Sequence, residues 1–275
     1  QVYSVTDRTK SEDYVKLSEV IEPTMDFIEM LQSRGGQVNG VPTGFAEFDE
    51  LTQGLHPGQM IIFAGRPAMG KTTLGMDVMR SAAIHNGMAS AIFSLEMDRQ
   101  EIMMRIMAAE AQVPMSRLRD GTVDDQDWER LARATTRFMD APLYIDDSAN
   151  MTLMEIRAKC RRLKQKADLK LVVIDYLQLM SSGKRVESRQ QEVSEFSRAL
   201  KLLAKEIEVP VIAISQLNRG NEQRTDKKPM MSDLRESGSI EQDADLIVLI
   251  HREDYYEKES ARAGEADLIV AKHRN

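Results

Sequence analysis

Gly65 and Gly70, followed at once by Lys71 and Thr72, give the spacing G-x-x-x-x-G-K-[ST], and the chemistry this spacing serves is the holding of a triphosphate. Phosphate oxygens need several main-chain N–H donors at close range, so a side chain is unwelcome at Gly65 and Gly70. Lys71 can reach the β- and γ-phosphates, and the Thr72 hydroxyl can ligate Mg²⁺. Arg66, Pro67, Ala68, Met69 and Thr73 complete the loop expected to wrap the nucleotide. Two carboxylates suit the same chemistry. Asp175 closes the run Leu171-Val172-Val173-Ile174 and would hold the Mg²⁺ through water. Glu96 follows the apolar run 89–95 and is placed to orient or deprotonate a water. A neutral amide, Gln216, ends a further apolar run and can sense whether a γ-phosphate is present.

These residues need elements that present them together. The apolar run 60–64 reads as a buried strand, and helical spacing of Leu74, Val78, Met79, Ala82 and Ala83 follows the loop. That order aims a helix amino end at the anion. Further strands are expected over 89–95, 143–145, 171–175, 210–215, 244–250 and 266–271. Helices are expected over 71–86, from Asp98, over 125–139 with Trp128 and Leu131 on one side, from Thr152 to Ala167, and through Val193, Phe196, Leu200, Leu203 and Ile207. Residues 114–121 read as a turn region. Strands alternating with helices predict a mostly parallel twisted sheet with helices on both faces, an α/β fold built around the phosphate loop. Ahead of it, residues 1–17 read as a flexible lead-in. Leu17, Val20, Ile21, Ile28 and Leu31 form a helical stripe that Pro23 starts or kinks, and 34–43 reads as a linker. The expected division is 1–39, lead-in and linker helix, and 40–275, the nucleotide-binding domain. The stripe has no partner in its own segment and must dock on the main domain or on another chain.

With 275 residues, 42% apolar and 29% charged, the chain suits one large globular domain and an appendage. The single Cys160 excludes an intrachain disulfide and suits a reducing, cytoplasmic compartment. No apolar run is long enough to span a membrane. A net charge of −7 argues against a uniformly basic surface but allows a local basic patch. The segment 181–189 and the loop 218–231, with Arg219, Arg224, Lys227 and Lys228, are candidates for one. In-line hydrolysis also wants a cation at the transition state, which can be supplied in trans. Lys272 and Arg274, alternate residues placed just beyond a strand, are candidates for reaching a neighbouring subunit's site. The chain begins without Met and ends straight after an apolar run, so both ends read as cuts.

The stretches GVPTGFAEFDELTQGLHPGQMIIFAGRPAMGKTT, AIFSLEM, LVVIDYLQLM, VIAISQLNR, SDLRESGSIEQDADLIVLIHR and AKHRN, in this order, resemble the carboxy-terminal motor domain of bacterial replicative DNA helicases of the DnaB type. The resemblance implies a RecA-like fold, a six-membered ring, ATP and Mg²⁺ at subunit interfaces, and translocation 5′ to 3′ on single-stranded DNA. By motif it implies Glu96 as the catalytic carboxylate, Asp175 on the metal, Gln216 as phosphate sensor and Lys272 with Arg274 as the trans-acting pair. Arg235, Glu236 and Gly238 match the family's DNA-gripping loop. The leading helix is similar in place to the linker helix that docks on the next subunit, while contacts to primase and loader belong to the longer protein. Two other readings share the nucleotide core: a RecA-like filament-forming recombinase, and an ATP-switched scaffold without DNA.

Overall fold

A computed structural model describes residues 15–33, 38–149, 151–175 and 189–274. The segment 181–189 thus falls almost wholly outside the described residues, as does the lead-in up to residue 14. Two compact units divide at residue 39.

The first unit is a single described helix, α1 (Leu17–Ser33). Pro23 neither starts nor breaks it; the helix runs through. Leu17, Val20, Ile21, Met25 and Ile28 are all exposed along it.

The second unit is built on seven strands: β1 (Met60–Gly65), β2 (Ser90–Ser94), β3 (Leu143–Asp146), β4 (Leu171–Asp175), β5 (Val211–Gln216), β6 (Leu246–His251) and β7 (Asp267–His273). Their order across the sheet is β3-β2-β4-β5-β1-β6-β7, all parallel except β7, which runs antiparallel to β6. Strands buried on both faces need apolar residues at every position, and β1, β4 and β6 are such runs. Their side chains alternate between two cores. Ile62, Phe93, Ile174 and Ala213 face one, under α7 (Leu153–Ala167) and α8 (Arg189–Ile207). Ile61, Phe63, Val173 and Ile214 face the other, under α3 (Lys71–Arg80) and α4 (Arg99–Ala111). Gly75 sets the approach of α3: a Cβ there would lie 3.1 Å from Ile214 Cδ1.

Local chemistry starts the helices where expected. Asp98 caps α4 by accepting from Glu101 N at 2.8 Å, and Thr152 with Glu155 forms a capping box at α7. Four expectations change. The stretch 114–121 contains a helix, α5 (Met115–Asp120), closed by Gly121 at φ 67°. In α6 (Asp125–Phe138) Leu131 and Ala134 are buried in a small cluster with Ala111 and Val113, whereas Trp128 is 61% exposed. The helix after the loop is α-helical only to Arg80 and then continues as a π turn over Ser81–His85. Residues 40–43 are no linker: Val41 pairs with Leu55, and Gly40 lies so close to that strand pair that a Cβ would meet Leu55 O at 2.6 Å. Between them runs α2 (Ala46–Thr52), where buried Asp49 accepts from Thr43 N and Oγ1 at 2.9 and 2.7 Å.

Candidate active site

Because β1, β2, β4, β5 and β6 are parallel, their carboxyl ends share one edge of the sheet, and ligands of such sheets bind there. β1 ends in the phosphate loop. Gly70, at φ 89°, turns the chain into α3, and Ala68 at φ 62° makes the preceding bend. Gly65 must lack a side chain, since a Cβ there would press on Lys71 Cγ at 3.3 Å and on Ile250. The resulting concavity of main-chain groups at a helix amino end is a cradle for phosphate oxygens.

A cavity of about 530 Å³ opens over this loop, lined by Pro67, Ala68, Gly70, Lys71, Thr72 and Thr73 and, from other elements, by Glu96, Gln216, Glu101, Arg105 and Arg252. The sequence-predicted Glu96 and Gln216 are thus brought to the loop. Lys71 Nζ folds back to donate to Arg66 O at 3.2 Å. Burial holds its ammonium below the usual lysine range, against the pull of Glu96 and Asp175. An incoming polyphosphate would relieve that penalty. Asp175 is 1% exposed, and its Oδ2 accepts from Thr72 Oγ1 at 2.9 Å. Its pKa is pushed up to about 6, first by burial and further by Glu96, with the Thr72 hydrogen bond opposing. Its Oδ1 is buried and has no hydrogen-bond partner among the described residues. An orphaned carboxylate oxygen beside a hydroxyl, facing a phosphate cradle, fits a hard cation such as Mg²⁺.

Not every loop side chain faces the nucleotide. Met69 is buried in the α3-side core. Arg66 turns away from the cavity, donating from Nε to Glu222 Oε1 at 2.7 Å and from NH1 to Leu217 O at 2.8 Å. Sequence reasoning missed Glu101, Arg105 and Arg252. Arg252 stands one residue past β6, at the same sheet edge, and position at a parallel strand's carboxyl end was the available signal. Arg105 lies on α4 with its guanidinium 2.7 Å from Glu101; only the packing of α4 brings it near.

Lys272 and Arg274 lie elsewhere. Lys272 is inside β7 rather than beyond it, paired with Ile247, and its Nζ donates to Glu241 O. Since β7 is antiparallel, its end lies beside the amino end of β6, at the sheet edge opposite the cavity. Leu246 to His251 spans roughly 17 Å at about 3.3 Å per residue. Arg274 is exposed there, its main-chain N–H bonded to Asp245 O at 2.8 Å. Arg235 and Glu236 fall in a 3₁₀ turn, Met231–Ser237, and Gly238 opens α9 (Gly238–Asp243). In the loop ahead of them part of the expected basic surface is spent internally. Arg224 pairs with Asp233, and Lys227 Nζ donates to Glu222 O at 3.2 Å and lies over the Tyr256 ring.

Residues 40–275 match the family described as DnaB-like helicase C terminal domain. The chain belongs to that family. It is 66% identical over 275 residues, its whole length, to the Replicative DNA helicase DnaB of Leifsonia xyli subsp. xyli (strain CTCB07), and it spans 60% of that relative's length. Among solved structures it is similar to the ATPase domain of G40P, with a TM-score of 0.88 and 37% identity over 93% of this chain and 91% of that one. It is also similar to a DnaB-like replicative helicase studied for its interactions with primase, with a TM-score of 0.86 and 37% identity, covering 96% of this chain and 63% of that one. The RecA-like ATPase core expected from the sequence is therefore the fold of this DnaB-like domain.

Proposed function

We propose that the protein is the motor of a replicative DNA helicase: it hydrolyses ATP between subunits of a hexameric ring and so translocates 5′ to 3′ along single-stranded DNA. The observation that carries this is the convergence of Lys71, Thr72, Glu96 and Gln216 from three parallel strand ends on one cavity, with Asp175 bonded to Thr72 beneath it.

In this scheme the loop amides and Lys71 bind the β- and γ-phosphates. Thr72 and Asp175 would hold Mg²⁺, which would supply positive charge against the phosphates. Glu96 orients a water in line with the β–γ bridge and takes its proton as the oxygen bonds to the γ-phosphorus. The bond from that phosphorus to the bridging oxygen breaks, and ADP and phosphate leave. Gln216 sits where it can distinguish triphosphate from diphosphate. In this scheme a transition-state cation is supplied in trans, in addition to Arg105 and Arg252 of the chain's own cavity. Lys272 and Arg274, which lie at the sheet edge opposite their own cavity, supply it to a neighbour's in a head-to-tail ring. Arg235, Glu236 and Gly238 grip the DNA backbone, which needs no base readout. The exposed apolar residues of α1 suit docking on the next subunit.

Primase contact is inferred by likeness to the DnaB-like replicative helicase studied for that interaction, and a loader is expected to act through the longer protein. Cytoplasmic location accords with the absence, among the described residues, of any helix long and apolar enough to cross a membrane. A filament-forming recombinase shares the core fold, and nothing in the comparisons favours it over the helicase.

Replacing Glu96 by Gln tests the reading. Turnover should fall by about 10²–10⁴, the range for a lost general base, with nucleotide affinity retained. A variant that hydrolyses ATP normally would remove Glu96 from the chemistry, and a wild-type protein without DNA-stimulated hydrolysis would defeat the helicase reading.

A further inference from the structure

The side chain of Arg66 is the one charged group in the phosphate loop besides Lys71, and it is spent on the segment that follows β5. Its side chain is 9% exposed and that of its partner Glu222 36%. Glu222 sits in a 3₁₀ turn, Arg219–Gln223, that is bound in turn to the next one. Asn218 N donates to Asp233 O at 3.0 Å, and Arg224 NH1 donates to Asp233 Oδ1 at 3.1 Å. Asp233, buried, also accepts from Met230 N at 2.7 Å and so fixes the start of the turn Met231–Ser237. The two turns are in close contact: a Cβ on Gly220 would lie 3.3 Å from Asp233 Oδ1. Polar bonds, joined through the main chain of residues 218–224, therefore link the phosphate loop to the turn that carries Arg235 and Glu236.

The near end of this chain meets the lysine expected to bind phosphate. Lys71 Nζ donates to the main-chain carbonyl of the same Arg66 whose guanidinium holds Glu222. When Lys71 reaches for phosphates, that carbonyl loses or shares its donor, and residue 66 is the point where the change is felt.

We propose that Glu222 is a positioning residue: by gripping Arg66 it ties the arrangement of the phosphate loop to that of the 231–238 segment, so that nucleotide state and single-strand grip are coupled. This rests on the helicase reading above and adds the link through which it operates. Glu222 touches neither ligand, and its role is confined to the coupling. Reciprocity follows, since a strand that favours one arrangement of the far turn must favour the same arrangement of the loop.

The test uses the whole ring-forming protein and a fluorescent oligo(dT). Two ratios are read: ATP turnover with and without oligo(dT), and oligo(dT) affinity with a non-hydrolysable ATP analogue against ADP. Glu222→Ala should keep DNA-free turnover within about twofold while both ratios fall at least about fivefold, the lower end of common allosteric coupling factors. Glu222→Gln, which keeps an acceptor but not the charge, should lie between, and it carries the test if the alanine variant does not fold. Ratios that stay at the wild-type value, or turnover that drops equally with and without DNA, would overturn the coupling role. A wild-type protein showing neither ratio above one would instead bring down the helicase reading, and the coupling with it.

Discussion

Replacing Asp175 by Asn should make the ligand-free protein more stable while abolishing its turnover. The carboxylate is 1% exposed, accepts one hydrogen bond from Thr72 and has a second oxygen with no partner among the described residues. Its pKa rises from 3.8 to about 6, chiefly through burial. The fold therefore binds a proton at Asp175 more readily than the unfolded chain does. A carboxyl raised in this way costs nothing below the unfolded value, and the penalty grows as pH climbs from about 4 to 6 and stays constant above. The difference between 3.8 and about 6 corresponds to about 3 kcal/mol at 1.36 kcal/mol per pH unit. Asn keeps the shape without the charge, so up to about 3 kcal/mol should be regained at pH 7.5 and almost none at pH 3.5. For a domain of this size each kcal/mol moves the melting point by about 2–4 °C. Urea unfolding of both proteins in chelator at the two pH values measures this directly. Mg²⁺ and nucleotide at about 1,000 times the Kd should then reverse the order, because ligand at that level adds about 4.1 kcal/mol to a protein that binds it and nothing to one that does not. An Asn variant less stable than wild type at pH 7.5, or equally stabilised at both pH values, would refute a buried, unpaired charge at this position.

Other consequences are as direct. Arg274→Ala should lower ATP hydrolysis, and mixing with Lys71→Ala subunits should restore part of it, since each mixed interface can join an intact loop to an intact arginine; stably mixed rings without recovery would argue against a shared site. Gly75→Val should destabilise by about 2 kcal/mol, the usual cost of overpacking, because even a Cβ stands 3.1 Å from Ile214 and 3.4 Å from Val173; denaturant titration with an unchanged midpoint would contradict that packing. Burial pushes the Cys160 thiol up to about 12, so at pH 8 it should react with a disulfide reagent only as fast as the fold opens, and rapid labelling of the native protein would place it elsewhere.

Local sequence was sufficient wherever the decisive interaction is short in range. Glycine spacing before Lys71 and Thr72 marks a phosphate cradle because glycine takes a left-handed turn without strain, as Gly70 at φ 89° does, and leaves room at Gly65, where a Cβ would press on Lys71. Apolar runs ending in Asp175 or Gln216 announce strands whose polar ends fall at one edge of the sheet, since each run is buried on both faces. Caps at Asp98 and Thr152 were likewise visible, being contacts across three residues. What the tertiary structure alone decided depends on elements distant in the chain. The strand order, which makes β7 antiparallel, carries Lys272 and Arg274 to the edge away from their own cavity, and no spacing rule encodes that. Arg66 had been expected among the nucleotide's contacts, yet a carboxylate 156 positions on draws its guanidinium the other way. Arg105 and Arg252 join the cavity only because α4 and β6 pack beside the loop. Part of the positive charge of the 218–231 loop is neutralised by Asp233, which only folding brings into range. A motif is written in neighbouring residues, but the direction a long charged side chain takes is set by whichever buried partner the fold presents to it.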